Sequence, residues 1–144
     1  AMILGSHGEL MVPLASSITV KGTPLAQLLD AKTIEELLTR ARDGGAEIVS
    51  LLKTSSAYYA PASGVVQMLS AILRDEHRVL PGCAWLQGEY GLKDVCIGVP
   101  VELAAAGVVR VVEQPLTPQE RTALHTAAEQ VRHGIAQVCS PVKT

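Results

Sequence analysis

Phenylalanine is absent from the sequence, and one tryptophan and three tyrosines bring aromatics to only 3%. Proteins that hold single-stranded nucleic acid stack bases on aromatic rings along a basic groove. Here Lys and Arg are scattered without a cluster, and the net charge is −2. No nucleic-acid partner is expected. Long apolar runs are missing as well. None approaches the roughly 20 residues that span a bilayer, and no basic stretch leads into an apolar one as in a secretory signal. No membrane partner is expected. Cysteines are few: Cys83, Cys96 and Cys139, odd in number and far apart. That pattern argues against a disulfide framework or a zinc site and fits reduced thiols in a cytoplasmic protein. Cys83 and Cys96 fall in apolar stretches and read as inert core thiols. Finally, no Gly-x-Gly-x-x-Gly follows a strand, and no other phosphate-cradling loop occurs. If the chain serves a nucleotide enzyme, the main nucleotide site is expected elsewhere.

What is present suffices for a core. The chain has 144 residues, 48% of them hydrophobic, with a mean hydropathy of +0.27. That length predicts a single domain over residues 1–144. The stretch that organises it is Gly5-Ser6-His7-Gly8-Glu9, directly after apolar Met2-Ile3-Leu4. A short apolar run broken by two glycines predicts a strand ending in a tight turn. Glycine also lets backbone come close to a ligand. Imidazole titrates near neutral pH, so a ligand-facing His7 can both take and give a proton. A turn histidine satisfied by a backbone carbonyl is the plainer reading of these five residues taken alone.

Further along, Met11–Ala15 and Ser17–Val20 read as short strands, with a turn at Lys21-Gly22. Thr33 to Asp43 predicts a helix, with Thr33 and Glu36 as a capping box and Ile34, Leu37, Leu38 and Ala41 on one face. Gly44-Gly45 predicts its end, with a second helical piece over Ala46–Lys53 at an angle. Pro61 opens another helix to about Asp75. Val79-Leu80 and Cys83–Leu86 read as strands around a Pro81-Gly82 turn. Val95–Leu103 reads as a strand in which Pro100 demands an edge or a bulge, followed by Val108–Val112. Thr117, Pro118 and Glu120 cap a last helix, whose inner face is Leu124, Ala127, Ala128, Val131, Ile135 and Val138. The tail from Ser140 is expected to fray. Strands joined by such short connections must be antiparallel. The fold class is α+β: a mixed, largely antiparallel sheet packed with helices over 33–53, 60–75 and 118–138.

Two constellations invite sharper readings. His125, Glu129 and His133 share one helix face at i, i+4 and i+8, yet the outer two stand about 12 Å apart along the axis. One ion cannot take both histidines from a straight helix, so a solvated face is expected and no metal site. Tyr58-Tyr59 can stack on a ligand, but core or interface packing is the plainer role.

The Gly5-Ser6-His7-Gly8-Glu9 stretch with Met11-Val12-Pro13-Leu14 resembles the catalytic-histidine segment of the lactate/malate dehydrogenases. The likeness continues in order through Ser56-Ala57-Tyr58-Tyr59-Ala60-Pro61-Ala62, Ala71-Ile72-Leu73 and Arg78-Val79-Leu80-Pro81. It extends through Gly88-Glu89-Tyr90-Gly91-Leu92-Lys93-Asp94, Gly98-Val99-Pro100, Gly107-Val108 and the terminal Thr-Pro-x-Glu helix. It covers residues 2–138, and order and spacing carry it more than any one motif.

This resemblance implies the C-terminal, substrate-binding half of such an enzyme, with the NAD-binding Rossmann half absent from this chain. His7 matches the family's proton acceptor, and Ser56 matches a position lining the substrate pocket. NAD is implied as the cofactor, bound mainly by the missing half. A small 2-hydroxy or 2-oxo acid, the Rossmann domain and further copies of the chain are the implied partners. The Ser56–Ala62 stretch resembles the malate enzymes of the lactate-dehydrogenase-like branch, since lactate-type enzymes usually carry a Trp near it. An L-lactate dehydrogenase C-terminal domain and a non-catalytic oligomerisation module are the alternatives. One departure is Glu9, where the family more often has Asp, and Glu9 is left out of the catalytic set.

Overall fold

The computed structural model describes residues 1–139, so the expected fraying of the tail lies outside the described residues. The strands are β1 (Ile3–Gly5), β2 (Met11–Pro13), β3 (Thr19–Val20), β4 (Thr23–Pro24), β5 (Arg78–Gln87), β6 (Lys93–Ala104) and β7 (Gly107–Val111). The helices are α1 (Leu25–Leu28), α2 (Ala31–Leu52), α3 (Tyr59–Leu73) and α4 (Pro118–Cys139). Every described pairing is antiparallel. The short connections require it for β1–β2, β3–β4, β5–β6 and β6–β7, and β1 pairs with β6 antiparallel across most of the chain.

Strand β6 is the axis of the main sheet. It pairs with β5 along one side, and with β1 at Gly98 and β7 from Val101 onward along the other. Its odd-numbered residues Val95, Ile97, Val99, Val101 and Leu103 are buried. Leu4, Val12, Leu14 and Leu86 join them, and α4 closes the core with Leu124, Ala127 and Ala128. No helix of the described residues is long and apolar enough to cross a membrane.

Several sequence expectations are corrected. Cys83 and Cys96 are exposed, not core thiols. The period of two explains it: β6 buries odd positions and β5 buries Ala84 and Leu86, so both cysteines fall on the opposite face. Pro81-Gly82 is not a turn but part of one strand, with Pro81 directly opposite Pro100. The Val112 N–H donates to the Pro100 carbonyl at 2.8 Å, so the backbone polar groups of Pro100 face away from β5. The two prolines therefore form a non-hydrogen-bonded pair, in which neither needs an N–H toward the other. Pro100 thus sits in a central strand without a bulge at its own position.

The 33–53 region is also different. Asp30, not Thr33, is the N-cap: its carboxylate accepts from the Thr33 N–H at 3.0 Å and the Thr33 hydroxyl at 2.7 Å. The helix runs unbroken through Gly44-Gly45. Arg40 donates to both carboxylate oxygens of Glu47, at 3.2 and 3.0 Å, and so bridges the glycines along the helix surface. Near the N-terminus, Ala15–Ser17 is a short 3-10 turn, so the break between the two expected strands is there but Ala15 and Ser17 belong to the turn rather than to the strand ends. On α4, Ile135 and Val138 are exposed, so only the first half of its predicted inner face is buried.

Candidate functional site

His7 sits on the loop of the β1–β2 hairpin. The register pairs Gly5 with Met11, and the Ser6 N–H donates to the Leu10 carbonyl at 3.1 Å to close the loop. Gly5 has φ +89°, and a Cβ on it would stand 2.3 Å from the Leu10 oxygen. The close approach expected of this glycine is thus to the loop's own backbone, and a side chain there would force the loop open. Gly8 has φ +79°, a conformation that starts the 3-10 turn over Gly8–Leu10. Below the loop, Leu4 and Val12 anchor the hairpin in the core, while α2 and α4 both touch the 3-10 turn. Gly98 of β6 abuts Gly5 so closely that a Cβ on it would meet the Gly5 oxygen at 2.6 Å. His7 is therefore an exposed residue on a well-anchored loop.

The His7 ring makes no hydrogen bond and no ion pair among the described residues. A turn histidine satisfied by a carbonyl is not what this loop contains. Ser56 lies in the connection between α2 and α3, also exposed, with its carbonyl accepting from the Tyr58 N–H at 3.1 Å. Lys53, with φ +61°, ends α2 just before it. The structure brings no described hydrogen bond between His7 and Ser56, and they stand on separate elements. Tyr58 and Tyr59 stack on each other with centroids 4.8 Å apart, and both are exposed.

A cleft of about 360 Å³ opens beside the hairpin, between β2, α2 and α4. Glu35, Arg42, Ser16 and Glu120 line it, and Arg42 pairs with Glu35 at 3.6 Å. His7 and Ser56 are not among its lining residues. Glu120 does more than the capping box predicted for it. It accepts from the Thr117 N–H and hydroxyl at 2.9 and 3.0 Å, and from the Ser16 N–H and hydroxyl at 3.2 and 2.8 Å. Burial raises its pKa, but these hydrogen bonds outweigh burial and hold the carboxyl below its ordinary value. Sequence spacing reveals the Thr117 bonds, which are local; nothing local signals the bonds to Ser16.

The Glu89–Gly91 turn, which Gly88-Glu89-Tyr90-Gly91 predicts, is a second anchored point, and its anchoring is not visible in the sequence. Tyr90 is buried with φ +56°. Its N–H donates to Glu113 at 2.7 Å, and its hydroxyl accepts from the Gln114 N–H at 2.9 Å. Burial pushes the Tyr90 hydroxyl pKa up; the Gln114 N–H opposes this and the nearby Glu113 charge adds to it. The His125 Nε2 meets the Tyr90 carbonyl at 3.0 Å and the residue is half-buried, whereas Glu129 and His133 on the same face are exposed, as expected of a solvated face. His133 instead faces Gln137 at 2.9 Å.

Comparison with known proteins places this geometry. Residues 1–141 match the family model described as lactate/malate dehydrogenase, alpha/beta C-terminal domain. A malate dehydrogenase of Nostoc punctiforme is 54% identical over 135 residues, which are 94% of this chain and 41% of that protein. One from Staphylococcus saprophyticus is 51% identical over 130 residues, 90% of this chain and 42% of that protein. Among solved structures, the malate dehydrogenase from Salinibacter ruber superposes with a TM-score of 0.92 at 44% identity, covering 96% of this chain and 45% of that one. The lactate dehydrogenase from Cryptosporidium parvum gives 0.90 at 35% identity, covering 96% and 47%. The chain thus spans less than half the length of these relatives. The order of motifs from Gly5 to Glu120, the antiparallel sheet around β6 and these matches have one explanation: the chain belongs to the lactate/malate dehydrogenase family, as its α/β C-terminal domain.

Proposed function

We propose that this chain is the substrate-binding half of an NAD-dependent malate dehydrogenase, and that His7 accepts the proton of the substrate's 2-hydroxyl. One observation carries the reading: an exposed imidazole with no hydrogen-bond or ion-pair partner among the described residues stands on a loop whose conformation depends on glycines at both flanks. A histidine in that setting is free to meet a ligand. The names of the most similar relatives favour malate over lactate.

NAD does not fit the residues of this chain. Dinucleotides sit at the end of a parallel strand followed by a glycine-rich turn and a helix, whereas every described strand pairing here is antiparallel. The cofactor belongs to an NAD-binding half outside these residues, where the nicotinamide supplies the hydride acceptor. This chain supplies the base. A neutral His7 removes the hydroxyl proton as the carbonyl forms, and the protonated ring returns it in the reverse direction. Ser56 lines the acid's pocket. A cytoplasmic homo-oligomer is the setting we assign, its contacts made by the apolar faces of α2 and α3 that this chain leaves exposed.

The test is His7→Asn in the full-length enzyme. Asn keeps comparable size and hydrogen bonding but takes no proton near neutral pH. kcat/KM should fall by about 10²–10⁴-fold in both directions. Turnover near normal refutes the assignment. Assaying malate against lactate separates the two substrates.

A further inference from the structure

The outer face of the β5–β6 ladder carries a feature that proton transfer at His7 does not use. Cys83 and Cys96 are both free and exposed there. The register sets Cys83 opposite Gly98 and Trp85 opposite Cys96. Counting by twos from the Pro81–Pro100 pair, both belong to the non-hydrogen-bonded series, in which side chains approach most closely. Gly98 brings no side chain to the place opposite Cys83. The thiol of Cys83 therefore has Cys96 as its diagonal neighbour across the ladder, within reach of cross-strand interaction. Burial first, and then the Cys96 thiol beside it, push the Cys83 thiol pKa up.

We propose that Cys83 and Cys96 are a reversible redox pair that closes to a disulfide across β5 and β6 when met by a low-molecular-weight disulfide such as oxidised glutathione. The Cys96 thiolate attacks one sulfur of the small disulfide and releases one small thiolate. Cys83 then loses its proton and attacks the Cys96 sulfur of the mixed disulfide, releasing the second. Two protein thiols are oxidised by two electrons, one small disulfide is reduced to two thiols, and the two protein protons end on them. Cys96 is assigned the first attack because the environment of Cys83 favours its protonated form.

Diagonal neighbours stand about 7–8 Å apart at Cα, and an unstrained disulfide prefers about 4.4–6.8 Å. Closing the bond therefore requires the two strands to shift locally along one another, and the resulting exposed, strained disulfide is readily reduced. The pair is thus a switch rather than a structural staple. Trp85 is the one tryptophan of the chain and lies directly opposite Cys96, so its fluorescence reports the state of the pair. This inference does not rest on the dehydrogenase reading and survives its failure.

The experiment uses the chain carrying Cys139→Ser, which leaves two thiols. Exposure to oxidised glutathione should take the free-thiol titre from two to none, with no glutathione retained. A single non-reducing peptide should then join β5 to β6, and Trp85 emission should drop. Excess reduced glutathione should restore both thiols and the emission. Cys83→Ser and Cys96→Ser, each with far-UV circular dichroism matching the parent, should instead retain one glutathione on the surviving thiol. Stable glutathione adducts on both cysteines of the parent overturn the proposal, as do thiols that stay reduced. A linked peptide that resists excess reduced glutathione overturns the claim of a switch.

Discussion

Helices α4 and α2 are equal in length, each 22 residues, and both are amphipathic, but their fates differ. The first half of α4 lays Leu124, Ala127 and Ala128 on the β6 core. Its polar groups reach distant elements: Glu120 holds Ser16, and His125 holds the Tyr90 carbonyl. Helix α2 buries no residue at all. Its described side-chain bonds stay local, from Asp30 to Thr33 and from Arg40 to Glu47. Helix α3 resembles α2, burying only Ala71 and leaving Val65, Val66, Leu69 and Leu73 exposed. An apolar stripe at helical period says that a face requires a partner; it does not say whether that partner is in the chain.

The largest effect that probes this contrast is in the core. Leu124 is fully buried, whereas Leu51 is 74% exposed. Leu124→Ala should destabilise the chain by about 2–5 kcal/mol, and Leu51→Ala should move it by about 0.5 kcal/mol or less. Urea unfolding followed by circular dichroism measures both. A comparable loss at Leu51 would break the comparison by making α2 part of the same cooperative unit as the sheet.

The second test concerns what the exposed faces do. Monomeric soluble proteins rarely expose contiguous apolar patches beyond a few hundred Å², and α2 and α3 present Leu37, Ile48, Leu52, Val66, Leu69 and Leu73. The chain should self-associate, and Val66→Glu with Leu69→Glu should shift it toward monomer. Light scattering over a concentration series decides. A chain that is monomeric throughout, or an oligomer indifferent to those charges, shows that the exposed stripes are not contact surfaces.

Where the sequence was legible, the deciding interactions were local. The capping box of α4 was readable because Thr117 and Glu120 are three residues apart, and the Lys21-Gly22 turn because both residues take positive φ. The His7 hairpin was readable from two glycines. The failures are non-local or involve competition between local signals. Asp30 outcompeted Thr33 as N-cap because its carboxylate accepts two bonds from Thr33. The Pro81-Gly82 pair suggests a turn until a facing Pro100 is known. The cysteines sit in apolar stretches, which suggests burial, but strand alternation puts them on the face opposite Ala84, Leu86 and the odd-numbered residues of β6. Burial of α2 and α3 is not decidable from their own periodicity.

A smaller effect isolates how α4 is tied to the N-terminal hairpin. The Glu120 pKa is lowered in the folded chain from an ordinary 4.5, despite burial, by bonds from Thr117 and Ser16. A depressed carboxyl stabilises the fold above its unfolded pKa, and this contribution fades as pH falls through the folded value. Glu120→Gln should therefore cost about 0.5–2 kcal/mol at neutral pH, the range for lost caps. The gap to the parent should close as the medium is acidified below pH 4.5. Urea midpoints at neutral and acidic pH measure it. A gap that is constant with pH would assign the effect to packing rather than to charge.

The smallest effect asks whether α2 is one helix or two. Gly44 is helical, and a Cβ placed on it meets nothing within 4 Å, so Gly44→Ala introduces no clash. Replacing a mid-helix glycine by alanine removes unfolded-chain freedom and contributes about 0.5–1 kcal/mol. Because α2 buries nothing, that gain should remain within the helix and leave the urea midpoint of the sheet nearly unchanged. Native-state hydrogen exchange reads it directly: amides from Leu37 to Leu52 should all slow together in the variant. The Arg40–Glu47 bridge supports this, since it ties the turns on either side of Gly44-Gly45. Glu47→Gln should weaken the coupling while leaving Gly44→Ala protective. If protection rises only up to Asp43 and the amides of Ala46–Leu52 exchange as before, the two glycines are a break. The α2 region is then two helical pieces, as the spacing of the sequence predicts.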